Sequence, residues 1–164
     1  MIRTKDPKFN LRLAEPEDAE LALAFMHKLG IYQKMADEIT ATAENLRDIL
    51  ASGFGEALFG YYEGEAVGFM FFSQTSSAFT GRWGLFLDGF YVEEALRHRG
   101  LGKIRMAHLA QMAMDRGGRM LEWQCLDWNA PTIRIYQSMG AYRLDGLGTY
   151  RLSPEDLRSC AAGA

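Results

Sequence analysis

Phe90-Tyr91-Val92 is followed by Glu93-Glu94-Ala95-Leu96-Arg97-His98-Arg99-Gly100-Leu101-Gly102-Lys103, an apolar run that passes through two glycines into helical text. Such a junction turns backbone N–H groups outward at the positive end of a helix, which makes an anion site. Arg97, Arg99, Lys103 and Arg105 add formal positive charge, and glycine lets a phosphate approach the main chain closely. The ligand this predicts is a polyphosphate. Two familiar forms are excluded: a P-loop needs Ser or Thr where Ile104 follows Lys103, and a dinucleotide fingerprint needs a third glycine where Arg105 stands. A glycine-rich turn with a solvated basic face is the alternative at this point.

A second informative stretch runs Trp123-Gln124-Cys125-Leu126-Asp127-Trp128-Asn129-Ala130-Pro131-Thr132-Ile133-Arg134-Ile135-Tyr136-Gln137-Ser138-Met139-Gly140-Ala141. Asn129 suits a helix N-cap, Pro131 a first turn and Gly140 a helix stop. The spacing Arg97-x-x-Gly100-x-Gly102 after a strand ending at Val92 resembles the acetyl-coenzyme A loop of the GNAT superfamily of N-acetyltransferases. The later stretch resembles the same superfamily's strand, Asn-capped helix, tyrosine near the helix end and Gly-Ala entry to the next strand. Together the resemblance spans essentially the whole chain.

It implies that Phe90, Tyr91, Val92, Arg97, His98, Arg99, Gly100, Leu101, Gly102 and Lys103 bind acetyl-CoA, joined by Asn129, Pro131, Thr132 and Tyr136. It also implies transfer without an acyl-enzyme, in a gap between two splayed parallel strands, with a backbone N–H near Tyr91 or Val92 meeting the thioester oxygen. Tyr136 becomes the candidate general acid, since a phenol with a pKa near 10 stays protonated at neutral pH and can donate to a departing thiolate. Asp88 is the candidate base, directly or through water; an exposed strand carboxylate with no role is the equal alternative.

Tyr32-Gln33-Lys34-Met35, Ile39 to Leu46, Gly53-Phe54-Gly55 and Leu87 to Val92 look like the diamine branch of that superfamily, which includes spermidine/spermine and thialysine acetyltransferases. The resemblance implies an acceptor pocket of Tyr32, Gln33, Asp88 and Tyr150, and a homodimer. Carboxylates usual in the branch are replaced by Gln33, Gly89 and the Gly148-Thr149-Tyr150 segment. A polyamine with several positive charges needs several anionic partners, so a thialysine-like amino acid or short diamine is the expected acceptor. The alternatives are a non-catalytic acyl-CoA-binding module and acetylation of a protein amine.

Elements must position these groups. Phe9-Asn10-Leu11-Arg12-Leu13 alternates as a strand; a helix opens at Pro16 and is expected to stop at Gly30; a second follows Thr42 and ends at Gly53. Twelve of the 20 aromatics lie in residues 51–96, predicting strands at Ala57–Tyr62, Ala66–Ser73 and Trp83–Val92, with a Glu63-Gly64 turn and a looser link over Gln74–Gly81. Then come a helix over about 100–116, a strand over 119–126, a helix over 130–139, short strands near 141–144 and 149–152, and a terminal helix from Ser153. The fold expected is α/β (α+β): a single-domain GNAT fold over 1–164. Its sheet is mixed, mostly antiparallel and six- to seven-stranded, with helices on both faces and a splayed parallel pair. Residues 1–8 and 161–164 are expected to fray.

Composition agrees with one globular domain: 164 residues, 48% hydrophobic, net charge -3. No apolar stretch approaches the roughly 18 residues of a membrane span, and Met1 to Pro7 lacks a secretory signal, so a cytoplasmic protein without membrane or nucleic-acid partners is expected. His27, His98 and His108 show no metal-ligand spacing, so no metal is expected, and Cys125 and Cys160 read as plain thiols. The net charge is uneven. Residues 97–119 hold six Lys or Arg against one Asp, and residues 51–96 hold six acids against one Arg. A basic segment for CoA phosphates thus lies beside an acidic one suited to an amine.

Overall fold

Period-two alternation in Phe9–Leu13 builds a strand whose Phe9 and Leu11 are fully buried within the sheet. The structure is a computed structural model that describes residues 1–163. The chain divides into two units, Met1–Leu126 and Asp127–Ala164.

The first unit holds six strands, β1 (Ile2–Arg3), β2 (Phe9–Leu13), β3 (Glu56–Tyr62), β4 (Glu65–Ser77), β5 (Arg82–Val92) and β6 (Leu121–Trp123), which lie in the sheet in that order. Neighbours from β1 to β5 are antiparallel, and β6 runs parallel to β5. Three helices accompany them: α1 (Ala19–Gln33), α2 (Ala43–Ser52) and α3 (Leu101–Asp115). The second unit holds α4 (Ala130–Ser138) and α5 (Pro154–Ala162).

Each face of the sheet has its own helices. Phe59 pairs with Phe69 and Phe69 with Tyr91, so these rings share one face. Phe25 of α1 closes over them with centroids 6.1 Å from both Phe59 and Phe69, and Ala19, Ala22, Leu29 and Leu46 complete this core. Burial of each such Phe contributes about 1.5–3 kcal/mol. The alternate residues Leu58, Gly60, Gly68 and Met70 face the other way, where a Cβ on Gly68 would meet Arg105 of α3. That face belongs to α3, which buries Leu101, Ile104, Met106, Leu109 and Ala113 as well as Arg105.

Several expectations are corrected. Gly30 does not stop α1, which continues to Gln33 and ends at Lys34 in the left-handed conformation (φ 59°). Gly30 instead admits the neighbouring chain, since a Cβ there would lie 2.4 Å from Ile39 Cδ1 and 3.2 Å from Ala36 Cα. The looser link over Gln74–Gly81 is half strand: β4 runs on to Ser77 and pairs with Arg82–Leu85. The strand expected over 119–126 shortens to Leu121–Trp123. No strand forms over 141–144 or 149–152 among the described residues; Tyr142, Leu144, Tyr150 and Leu152 stay exposed, so neither stretch has a buried face to hold it in a ladder. Ile2–Arg3 pairs with Asn10–Leu11 and supplies the sixth strand, which the short polar N-terminus did not signal. The fraying expected over 161–164 extends to residue 164, outside the described residues.

Candidate active site

The end of β5 is shaped by a bulge. Phe71 pairs with Gly89 and Phe72 with Leu87, which leaves Asp88 as the extra residue of β5, with its side chain exposed. Pairing with β6 stops at Leu87↔Trp123, so from Asp88 to Val92 the strand has β4 on one side and no paired strand on the other among the described residues. The Glu93 N–H donates to Val67 O (2.8 Å), and this fixes the alternation of the antiparallel ladder. Tyr91 therefore exchanges bonds with Phe69, and the N–H groups of Phe90 and Val92 point to the open edge. This is the splayed parallel pair expected from the resemblance.

The strand runs directly into the basic loop. A short 3-10 turn spans Glu94–Leu96, His98 adopts a left-handed φ of 65°, and Gly100 follows at 79°. Gly100 occupies the N-cap of α3 without a side chain to cap it, and the first helical bond is from Ile104 N–H to Gly100 O (3.2 Å). The N–H groups of Leu101, Gly102 and Lys103 thus form the positive helix end that the sequence predicts. His98, Arg99, Gly100 and Lys103 are exposed around it, and the Arg99 Nη1 lies 3.4 Å from the Tyr62 hydroxyl. Phe90 packs beneath, 3.6 Å from the position of a Cβ on Gly102.

Arg97 is held inward. Its Nε donates to Val92 O (3.2 Å), and its guanidinium carbon lies 4.4 Å from the Tyr32 ring centroid and 5.7 Å from that of Tyr91. The structure thus brings Tyr32, at the last turn of α1, to the end of β5, with half-buried Gln33 beside it in sequence. Two residues that sequence reasoning passed over complete this join: Lys28 of α1 pairs with Glu93, and the Tyr91 hydroxyl donates to Glu93 Oε2 (3.3 Å). Burial first, then the Glu93 carboxylate, raise the Tyr91 phenol above its ordinary value, so it stays protonated. The Glu93 hydrogen bond raises Lys28 as well. An ion pair between a helix and the residue just past β5, 65 positions apart, leaves no local trace in a sequence.

Two expectations change here. Arg105, whose charge the sequence groups with the phosphate loop, is fully buried against the sheet. Gly89, where a carboxylate is usual in the resembled branch, faces α1: a Cβ there would lie 3.3 Å from Met26 Sδ and 3.4 Å from Phe69 and Phe71 atoms. Packing occupies the space a carboxylate would need.

In the second unit Asn129 is the N-cap of α4, but its side chain makes no capping bond. Pro131 stands in the first turn with Thr132 after it, and half-buried Tyr136 lies seven residues beyond Asn129, two turns along the same side of the helix. Tyr150 is almost fully exposed in the irregular stretch before α5. No group of three or more potential metal ligands clusters among the described residues.

Comparison with known proteins follows the same lines. The chain is 28% identical over 147 residues to a thialysine N-epsilon-acetyltransferase of Caenorhabditis elegans, covering 88% of this chain and 91% of that one. It is 29% identical to the Sus scrofa thialysine N-epsilon-acetyltransferase, covering 92% and 96%. Among solved structures, an aminoglycoside acetyltransferase from an uncultured soil metagenomic sample superposes with a TM-score of 0.74 at 18% identity, over 88% of this chain and 99% of that one. A family model described as the acetyltransferase (GNAT) family matches residues 22–141, which include β5, the basic loop, α3 and α4. With that match over most of its length, and with the splayed strand pair and uncapped α3 already in place, the chain belongs to the GNAT family of N-acetyltransferases.

Proposed function

We propose that this enzyme transfers the acetyl group of acetyl-CoA directly to the primary amine of a small molecule, a thialysine-like amino acid or a short diamine. The observation that carries this is the open edge of β5 over Asp88–Val92 running straight into the uncapped, basic start of α3. The loop from Arg97 to Lys103 binds the CoA phosphates, and the Val92 N–H receives the thioester oxygen. Asn129, Pro131 and Thr132 line the pantetheine arm, and Tyr32, Gln33, Asp88 and Tyr150 contact the acceptor.

A primary amine with a pKa near 10.4 is neutral in about one molecule in a few thousand at pH 7, so a proton must first leave it. Asp88, exposed at its bulge, accepts that proton directly or through water. The nitrogen lone pair then forms the N–C bond while the carbonyl π pair moves onto oxygen, held by the Val92 N–H. Collapse breaks the C–S bond, the Tyr136 phenol supplies the proton to the thiolate, and the second proton of the acetylated nitrogen passes through water to the Tyr136 phenolate, which restores the phenol.

The relatives named for thialysine acetylation support an amino-acid-sized acceptor, and so does the apolar packing at Gly89, which withholds a carboxylate from a polyamine. Thiol release from acetyl-CoA across thialysine, lysine, putrescine, spermidine and spermine tests the choice. The expected order puts thialysine or putrescine at least tenfold above spermine in kcat/KM; a preference for spermine overturns it. Acetyl-CoA binding with no turnover on any amine would identify a non-catalytic module instead.

A further inference from the structure

Arg105 sits in the second turn of α3 with no exposed surface. A buried guanidinium is costly to desolvate, and apolar replacements of buried ions often hold or raise stability, so fold stability explains its presence poorly. Its Nη1 donates to Tyr91 O at 2.6 Å and to Phe69 O at 3.3 Å, and its guanidinium carbon lies 4.3 Å from the Phe90 ring centroid. β4 makes room for it with glycine: a Cβ on Gly68 would lie 2.7 Å from Arg105 Nη1 and 3.2 Å from its Cζ.

The Tyr91 carbonyl and the Val92 N–H belong to one peptide group. A charge-assisted bond to the carbonyl oxygen draws electron density toward it, and the N–H of the same peptide becomes a stronger donor. The bond also fixes the plane of that peptide, and hence the direction of the N–H at the open edge of β5. Arg97 holds the next carbonyl, Val92 O, from the other side of the join. Two arginines therefore clamp consecutive peptides where the strand leaves the sheet.

We propose that Arg105 is a positioning residue for acetyl transfer: through Tyr91 O it orients and polarises the Val92 N–H toward the thioester oxygen. It stays protonated throughout and exchanges no proton with substrate. The inference rests on the reading of Val92 as the oxyanion donor given above.

Infrared difference spectra of bound acetyl-CoA carrying carbon-13 at the thioester carbonyl, recorded without acceptor, test it. In the unaltered enzyme the carbonyl stretch moves to lower frequency than in free acetyl-CoA. Arg105→Met loses at least half of that displacement and about tenfold in kcat, while KM for acetyl-CoA changes less than about twofold. Arg105→Lys keeps a charge within reach of Tyr91 O and retains more of both, and it stands as the independent variant if the Met side chain prevents folding. No displacement in the unaltered enzyme overturns the Val92 reading and the inference with it. A full displacement in Arg105→Met, or its complete loss in Arg105→Lys, overturns the role of Arg105 alone.

Discussion

Tyr136→Phe lowers kcat about a hundredfold and leaves the Kd for acetyl-CoA within about twofold of its original value. General acids contribute roughly 10²–10⁴-fold, and the lower end applies because thiolate is a tolerable leaving group. A phenol near pKa 10 is a weaker acid than a thiol near 8.5 by about 1.5 units, or about 2 kcal/mol. Its hydrogen bond therefore stabilises the developing thiolate before the proton crosses fully. Tyr136 lies two turns from Asn129 along the same side of α4, so the proposed cofactor contacts and the acid ride on one rigid helix. Removing one hydroxyl leaves that helix intact. Single-turnover rates and equilibrium binding separate the two effects, and unchanged turnover removes Tyr136 from the mechanism.

The second large effect is on the sheet itself. Gly84→Ala costs about 3 kcal/mol of stability and releases β6 from β5. A Cβ at Gly84 would lie 1.8 Å from Met120 O, 2.5 Å from Met120 C and 2.8 Å from Met120 N, all backbone atoms that cannot swing aside. The same segment holds the parallel pair together through Leu85 N–H to Met120 O (3.0 Å) and Arg119 N–H to Trp83 O (2.8 Å). The variant must part the two strands at their only ladder of three residue pairs among the described residues. Urea denaturation gives the stability loss, and acetyl-CoA affinity falls with it if that pair frames the cofactor. A variant as stable as the parent contradicts the close approach.

What the sequence revealed and what it concealed have different physical origins. The junction from Val92 to Lys103 was legible because its signals are local: a strand-like run, two glycines and clustered charge all lie within a dozen positions. The N-cap of α4 was legible for the same reason. Arg105 groups in sequence with the basic residues Arg97, Arg99 and Lys103 of the loop, whereas its burial depends on Gly68 of β4, 37 positions earlier. Gly30 looks like a helix stop in isolation and becomes a packing site only when Ile39 folds back on it. The bulge that sets Asp88 apart depends on register between β4 and β5, which hydrophobic alternation alone does not encode. Tyr142 and Leu144 offered a strand pattern, but both stay exposed and no partner strand pairs with them among the described residues.

Direct transfer is the centre of this account, and the initial-rate pattern tests it most directly. Rates measured over a grid of acetyl-CoA and thialysine concentrations should give double-reciprocal lines that intersect, as a ternary complex requires. Parallel lines, with CoA released before any amine is added, would show an acyl-enzyme and contradict it.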